Sequence, residues 1–153
     1  MKNRLLLPLL LVLLGTGCAQ VKDPEFRRVG NFKMKSIDLS ETTIGFNVTY
    51  FNPNNFGVTV KEAQADVYLD STYLGKFSQD STVAVYKNAD FTIPFSGVIP
   101  LKTALQLDLK KLSEKEVTLK ADGSVRVGKA GIFVTRPVHY SARQRLNELR
   151  IRF

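Results

Sequence analysis

The sequence predicts an all-β fold with one helix: a β-sandwich of about seven strands. Three observations carry that prediction. Short apolar–polar alternations recur along the chain, the period of two that puts alternate side chains on one sheet face. Clusters of Asn, Asp, Gly, Ser and Pro separate these runs, as turns require. One stretch alone, residues 100–115, changes to a helical spacing.

The first segment is an address and not part of the fold. Lys2 and Arg4 precede Leu5-Leu6-Leu7-Pro8-Leu9-Leu10-Leu11-Val12-Leu13-Leu14, a basic region and an apolar core of secretory-signal length. It is too short for a transmembrane helix, which needs roughly 20 apolar residues. Gly15-Thr16-Gly17-Cys18 follows. A Leu run, small residues and then Cys resembles the bacterial lipoprotein signal, with Gly15 where that signal usually has Leu. The resemblance implies removal of residues 1–17 and acylation of Cys18. The lipid on Cys18 is then the only attached group expected, with no cofactor. Ala19, rather than Asp, after the Cys implies the outer membrane of a bacterial envelope, so the lipid bilayer is the first expected partner. The competing reading is a plain secreted protein with an incidental Cys. Each buried methylene of an acyl chain contributes about 0.8 kcal/mol, and two chains anchor stably.

Charge follows from compartment. The chain of 153 residues carries a formal net charge of +8. Without residues 1–17 it has 20 basic and 14 acidic residues, a net +6. Such a balance attracts anionic lipid or cell-wall polymer as well as nucleic acid, and an exported protein rarely meets its own cell's nucleic acid. Nucleic acid is therefore not an expected partner. A single Cys excludes an intrachain disulfide and any Cys-based zinc cluster.

Residues 18–30 are polar and show no sustained apolar period, so they read as a tether. The sandwich is expected over 31–140. Phe32, Met34, Ile37 and Leu39 suggest a first strand with a bulge. Ile44, Phe46, Val48 and Tyr50 form a strand that ends in the corner Asn52-Pro53-Asn54-Asn55. Pro53 has no N–H for a ladder, and Asn side chains close tight turns. Phe56, Val58 and Val60 resume. Ala63, Ala65, Val67 and Leu69 form a half-buried strand, turned by Asp70-Ser71-Thr72 into Tyr73-Leu74-Gly75. Ser78–Ser81 reads as a loop, Val83 and Val85 as a short strand, and Lys87–Asp90 as a turn. Phe91, Ile93 and Phe95 enclose Pro94, which implies an edge or a bulge.

Leu101, Leu105, Leu109 and Leu112 predict a helix over Pro100–Lys115, with a strand through Leu105, Leu107 and Leu109 as the competing reading. Val117, Leu119 and Ala121, then Asp122-Gly123, then Val125 and Val127 predict a hairpin. Gly128–Gly131 is a turn, and Ile132–Thr135 a strand ended or bent by Pro137. The tail, 141–153, carries Arg143, Arg145, Arg150 and Arg152. These either contact an anionic surface or alternate with Leu149, Ile151 and Phe153 as a charged edge strand.

The run Val48-Thr49-Tyr50-Phe51-Asn52-Pro53-Asn54 resembles the signature of the late embryogenesis abundant group 2 proteins, whose domain is also called WHy. Val67-Tyr68-Leu69 with Leu74-Gly75, Phe91-Thr92-Ile93-Pro94-Phe95 and Leu119–Val125 match later family features in order and spacing. The resemblance implies an immunoglobulin- or fibronectin-like sandwich with one helix, a link to desiccation and other stress, and no catalysis.

No catalytic constellation is visible. His139 is the only His and cannot form a metal site alone. Asp66 and Asp70 share a strand face, but no Asp-rich loop surrounds them, so a solvated face outweighs calcium. No Gly-x-Ser-x-Gly elbow supports a triad. Neither a catalytic residue nor a metal ligand is expected, and Asn52, Pro53 and Asn54 are expected to shape the corner. The expected function is a membrane-tethered protective or binding module that offers edge strands or an apolar groove to unfolded or lipidic ligands. The alternative is an accessory lipoprotein that docks on another envelope protein or the cell wall.

Overall fold

The structure is a computed structural model that describes residues 21–106 and 115–145. Eight strands and one short helix follow in the order β1 (Glu25–Ile37), β2 (Glu41–Asn52), β3 (Val58–Leu69), β4 (Thr72–Gln79), β5 (Val83–Val85), β6 (Ala89–Pro100), α1 (Leu101–Gln106), β7 (Glu116–Lys129) and β8 (Ile132–Arg145). All pairings are antiparallel, in the spatial order β1-β2-β6-β4-β3-β7-β8, with β5 on β3.

This order folds onto itself as a β-sandwich, as the alternations predict. Val60 and Ala63 of β3, Val85 of β5 and Phe91 and Ile93 of β6 form one buried cluster. Tyr50 of β2 and Val125 and Val127 of β7 pack against it. One layer is therefore β1-β2-β6 and the other β3-β7-β8. β4 joins them, pairing with β3 along Gln64–Leu69 and with β6 only at Phe95–Gly97.

Bulges explain where alternation was hard to read. β3 shifts register between Val60 and Glu62 against β7. That extra residue moves the inward set from Val58 and Val60 to Ala63 and Leu69, so two apparent runs are one strand. β1 has three shifts, at Phe26/Arg28, Gly30/Lys33 and Met34/Ser36. Each keeps an apolar residue (Phe26, Val29, Phe32, Met34, Ile37) on the inner face at a spacing of two or three.

Several expectations are corrected. The stretch expected as a tether already contains the start of β1 at Glu25, because Phe26 packs edge-on against Tyr50 (5.9 Å) and Arg27 lies over the Phe51 ring (4.8 Å). Asp122-Gly123 is not a hairpin. β7 runs straight through it, and the turn is Ala130-Gly131. Gly123 serves close approach, since a β-carbon there would run into the Gln64 carbonyl oxygen of β3. Pro137 does not end the last strand. β8 is a sheet edge, where a missing N–H is tolerated, and it continues to Arg145, inside the stretch expected as a tail. Ser78 and Gln79 close β4 rather than open a loop.

Pro94 lies in the interior strand β6, opposite Asn47. Its carbonyl accepts from Asp80 N at 2.9 Å, just past the end of β4. The missing N–H thus falls where β6 has lost its β4 partner, a local edge within an interior strand. The predicted helix begins at Leu101, whose N–H donates to Ser40 O at 2.8 Å. Residues 107–114 lie outside the described residues.

Candidate functional site

The Asn52-Pro53-Asn54 corner is a closed amide network. Asn52 is 4% exposed. Its Nδ2 donates to Phe56 O and Tyr86 O, both at 2.9 Å. Its Oδ1 accepts from Asn54 N at 3.1 Å and Asn54 Nδ2 at 2.9 Å. Both donors and both acceptor sites of one buried amide are used. The Asn52 Oδ1 to Asn54 N bond is the Asx turn that lets a strand end in Pro without losing backbone satisfaction. As expected of a structural role, the network ties the corner to the turn before β6, where Asn88 N donates to Asn54 O at 3.0 Å.

Asn54 has a second partner that the sequence did not disclose. Its Oδ1 accepts from Lys22 N at 2.9 Å and its Nδ2 donates to Lys22 O at 2.8 Å. A side-chain amide thus pairs with a backbone as a neighbouring strand would, and fixes the chain at Lys22, ahead of β1. Cys18 lies outside the described residues, four positions before Lys22.

A second feature is the open side of the sandwich. β1 and β8 end the two layers, and their inner-face side chains stay exposed. The apolar ones are Phe26, Met34 and Ile37 on β1 and Ile132, Val134, Val138 and Tyr140 on β8, where Arg136 shares their face opposite Val125. The β8 set shares its face with Val127, which packs on the core, because Val127 registers with Val134. Tyr50 and Tyr140 lie within electrostatic reach. The Tyr50 hydroxyl titrates above its ordinary value, chiefly through burial and then through Tyr140. The β8 alternation was present in the sequence, and reading Pro137 as a break concealed it.

The basic positions separate. Arg143 and Arg145 are exposed on β8, where Arg145 registers with Glu116 at the end of the sandwich away from the corner. Both belong to an edge strand, and Arg150 and Arg152 lie outside the described residues. Asp66 and Asp70 are occupied structurally: Tyr73 Oη donates to Asp66 Oδ1 at 2.8 Å, and Thr118 N to Asp70 Oδ1 at 2.8 Å. His139 Nδ1 meets Asp122 Oδ1 at 2.9 Å across the β7–β8 ladder. Among the described residues no three His, Cys, Asp or Glu side chains group as metal ligands.

Lys35 reaches across the outer face to Asp80 Oδ2 (2.8 Å) and to Ser96 Oγ. The Lys35 hydrogen bond first, and Ser96 second, hold the Asp80 carboxyl below its ordinary value. A lowered folded-state pKa gives stability that is present above the ordinary Asp range and lost as the pH falls through the folded value. Both side chains are partly exposed, so Lys35→Met is expected to destabilise by less than about 1 kcal/mol at neutral pH. The Asp80 share of that difference should vanish once Asp80 is protonated, and shrink in salt. Chemical denaturation of both proteins across acid pH checks it.

No protein-family model matches the chain, and no curated protein sequence matches it. Among solved structures, the solution structure of an Arabidopsis thaliana protein matches with a TM-score of 0.51 at 11% identity, covering 92% of this chain and 91% of that one. A crystal structure from Archaeoglobus fulgidus gives 0.49 at 10% identity, over 79% and 97%. At such identity the likeness to the Arabidopsis structure shows the fold alone: the chain shares its β-sandwich.

Proposed function

We propose that this chain is a non-catalytic bacterial envelope lipoprotein, anchored through acylated Cys18, whose WHy-type domain takes up an apolar ligand, a lipidic chain or an unfolded segment, under stress such as desiccation. The ordered set of family motifs and the lipoprotein-like start support the class and the anchor. The observation that carries the binding role is the open side, where inner-face residues of β1 and β8 that a closed sandwich would bury remain exposed.

Capture by strand addition is the weaker version. Both edges carry features that discourage pairing: three bulges with Lys33 and Lys35 on β1, and Pro137 with Arg143 and Arg145 on β8. The inner apolar faces, not the backbone edges, are the ligand surface.

An aggregation assay tests this reading. The purified protein, in molar excess, is expected to suppress aggregation of a heat-unfolded client or to bind a fluorescent fatty acid. Val134→Asp with Val138→Asp should reduce either effect at least tenfold with the unfolding midpoint little changed, because both side chains are already 48% and 37% exposed. No protection and no fatty-acid binding in excess sinks the binding role.

A further inference from the structure

The Asn54 clamp turns the expected long tether into a short one. Were residues 18–30 a free tether, Cys18 could stand about 43 Å from the domain at ~3.6 Å per extended residue. The chain is instead fixed at Lys22 by two hydrogen bonds to Asn54, and the four residues back to Cys18 can span about 14 Å at most. An acyl chain on Cys18 would hold the corner within that reach of the bilayer. That brings the corner end of the sandwich to the headgroup layer.

We propose that this end is a membrane-contact surface, formed by Val21, Lys22, Tyr86, Lys87, Lys129 and Ile132, which seats the domain on an anionic lipid bilayer. The proposal rests on acylation of Cys18 and adds to it which face meets the lipid.

Register places these residues together. Tyr86 follows β5, and its carbonyl accepts from Asn52 Nδ2. Lys87 is next to it, one residue before Asn88, whose N–H donates to Asn54 O. Gly128 registers with Thr59, near the start of β3 just past the corner. Lys129 and Ile132 flank the turn beyond Gly128 and so lie at the same end.

Their chemistry fits an interface. Tyr86 is 71% and Ile132 76% exposed. An aromatic ring with a hydroxyl suits the headgroup level. Lys22, Lys87 and Lys129 are all exposed, and each lysine near an anionic surface strengthens binding about fivefold. Arg143 and Arg145 lie at the other end. β8 has 14 residues, which at roughly 3.3 Å per residue puts Arg145 about 40 Å along the strand from Ile132. Those two arginines therefore do not face the bilayer that holds Cys18.

The test uses full-length acylated protein in vesicles of phosphatidylethanolamine and phosphatidylglycerol. A fluorophore is attached at Tyr86→Cys, Ile132→Cys or Arg143→Cys in turn, acylated Cys18 offering no free thiol. Quenching by headgroup-nitroxide lipid is expected to be at least threefold stronger at 86 and 132 than at 143. Equal quenching at the three sites, or stronger quenching at 143, overturns the proposal. Intact mass separates the two failures: an unacylated Cys18 overturns the anchor and this surface together, whereas acylated protein with the wrong pattern overturns the surface alone. Charge reversal to Glu at Lys22, Lys87 and Lys129 leaves the backbone clamp intact. It should keep the protein on the vesicles and cut the difference between sites at least twofold; an unchanged difference overturns the headgroup contact.

Discussion

Asn52→Ala is expected to destabilise the domain by about 3 kcal/mol, a loss of roughly 10 °C in Tm for a domain of this size. Removing the amide leaves Phe56 O and Tyr86 O without their donor and takes from Asn54 two of its hydrogen bonds. Each buried polar group left unpaired costs about 1–3 kcal/mol, and partial opening of the corner to water offsets some of that. Asn52→Asp separates donor from acceptor roles. One carboxylate oxygen still accepts from Asn54, but the other, in place of Nδ2, points its lone pairs at two carbonyls, so the loss should equal or exceed that of Ala. Asn54→Ala should cost less, about 1–2 kcal/mol, while freeing Lys22. Hydrogen exchange at the Lys22 amide would then rise to the rate of an unprotected chain. Urea unfolding with unchanged m-value checks the stabilities. An Asn52→Ala protein within 0.5 kcal/mol of wild type, roughly the spread of neutral surface changes, would remove the corner from its structural role.

The sandwich was legible because its central strands keep strict alternation. Ile44, Phe46, Val48 and Tyr50 on β2 and Phe91, Ile93 and Phe95 on β6 point into the core as their period requires. Alternation failed as a guide at the edges, where bulges change the spacing. The start of β1 at Glu25 was hidden by three of them, and the inward switch in β3 by one. Turn chemistry misled at Asp122-Gly123, because a glycine needed for backbone approach and a glycine needed for a turn look alike in sequence. The structural role of Asn52 and Asn54 could be foreseen from their residue types. The contact of Asn54 with Lys22 could not, since the Asn54 amide meets the backbone of Lys22, whose side chain carries no signal of the pairing. Phe77 was passed over for a different reason: it stands between Lys76 and Ser78 in a segment with too few apolar residues to show a period.

Phe77 nevertheless governs how the two layers join, and Phe77→Ala is expected to cost about 3–5 kcal/mol. Its side chain is 5% exposed. It comes from β4, the strand that pairs with both layers, and its ring lies 5.3 Å from Phe46. Phe46 in turn stacks on Phe95 at 5.8 Å and Phe32 at 5.6 Å. Truncation at 77 opens a cavity beside that stack, where the short β4–β6 pairing of Phe95–Gly97 offers little to hold the layers as they relax. Gly97 explains why the ring fits: a β-carbon at 97 would collide with the Phe77 ring. Gly97→Ala alone should therefore destabilise, despite the entropy of about 0.5–1 kcal/mol that Ala usually saves over Gly. In the Phe77→Ala background the collision is gone, so the same change should be neutral or stabilising. The double-mutant cycle is expected to show a coupling of about 1–3 kcal/mol in that direction. Additive losses, with Gly97→Ala costing the same in both backgrounds, would mean that the ring does not lie on Gly97 and that β4 joins the layers by its backbone pairing alone.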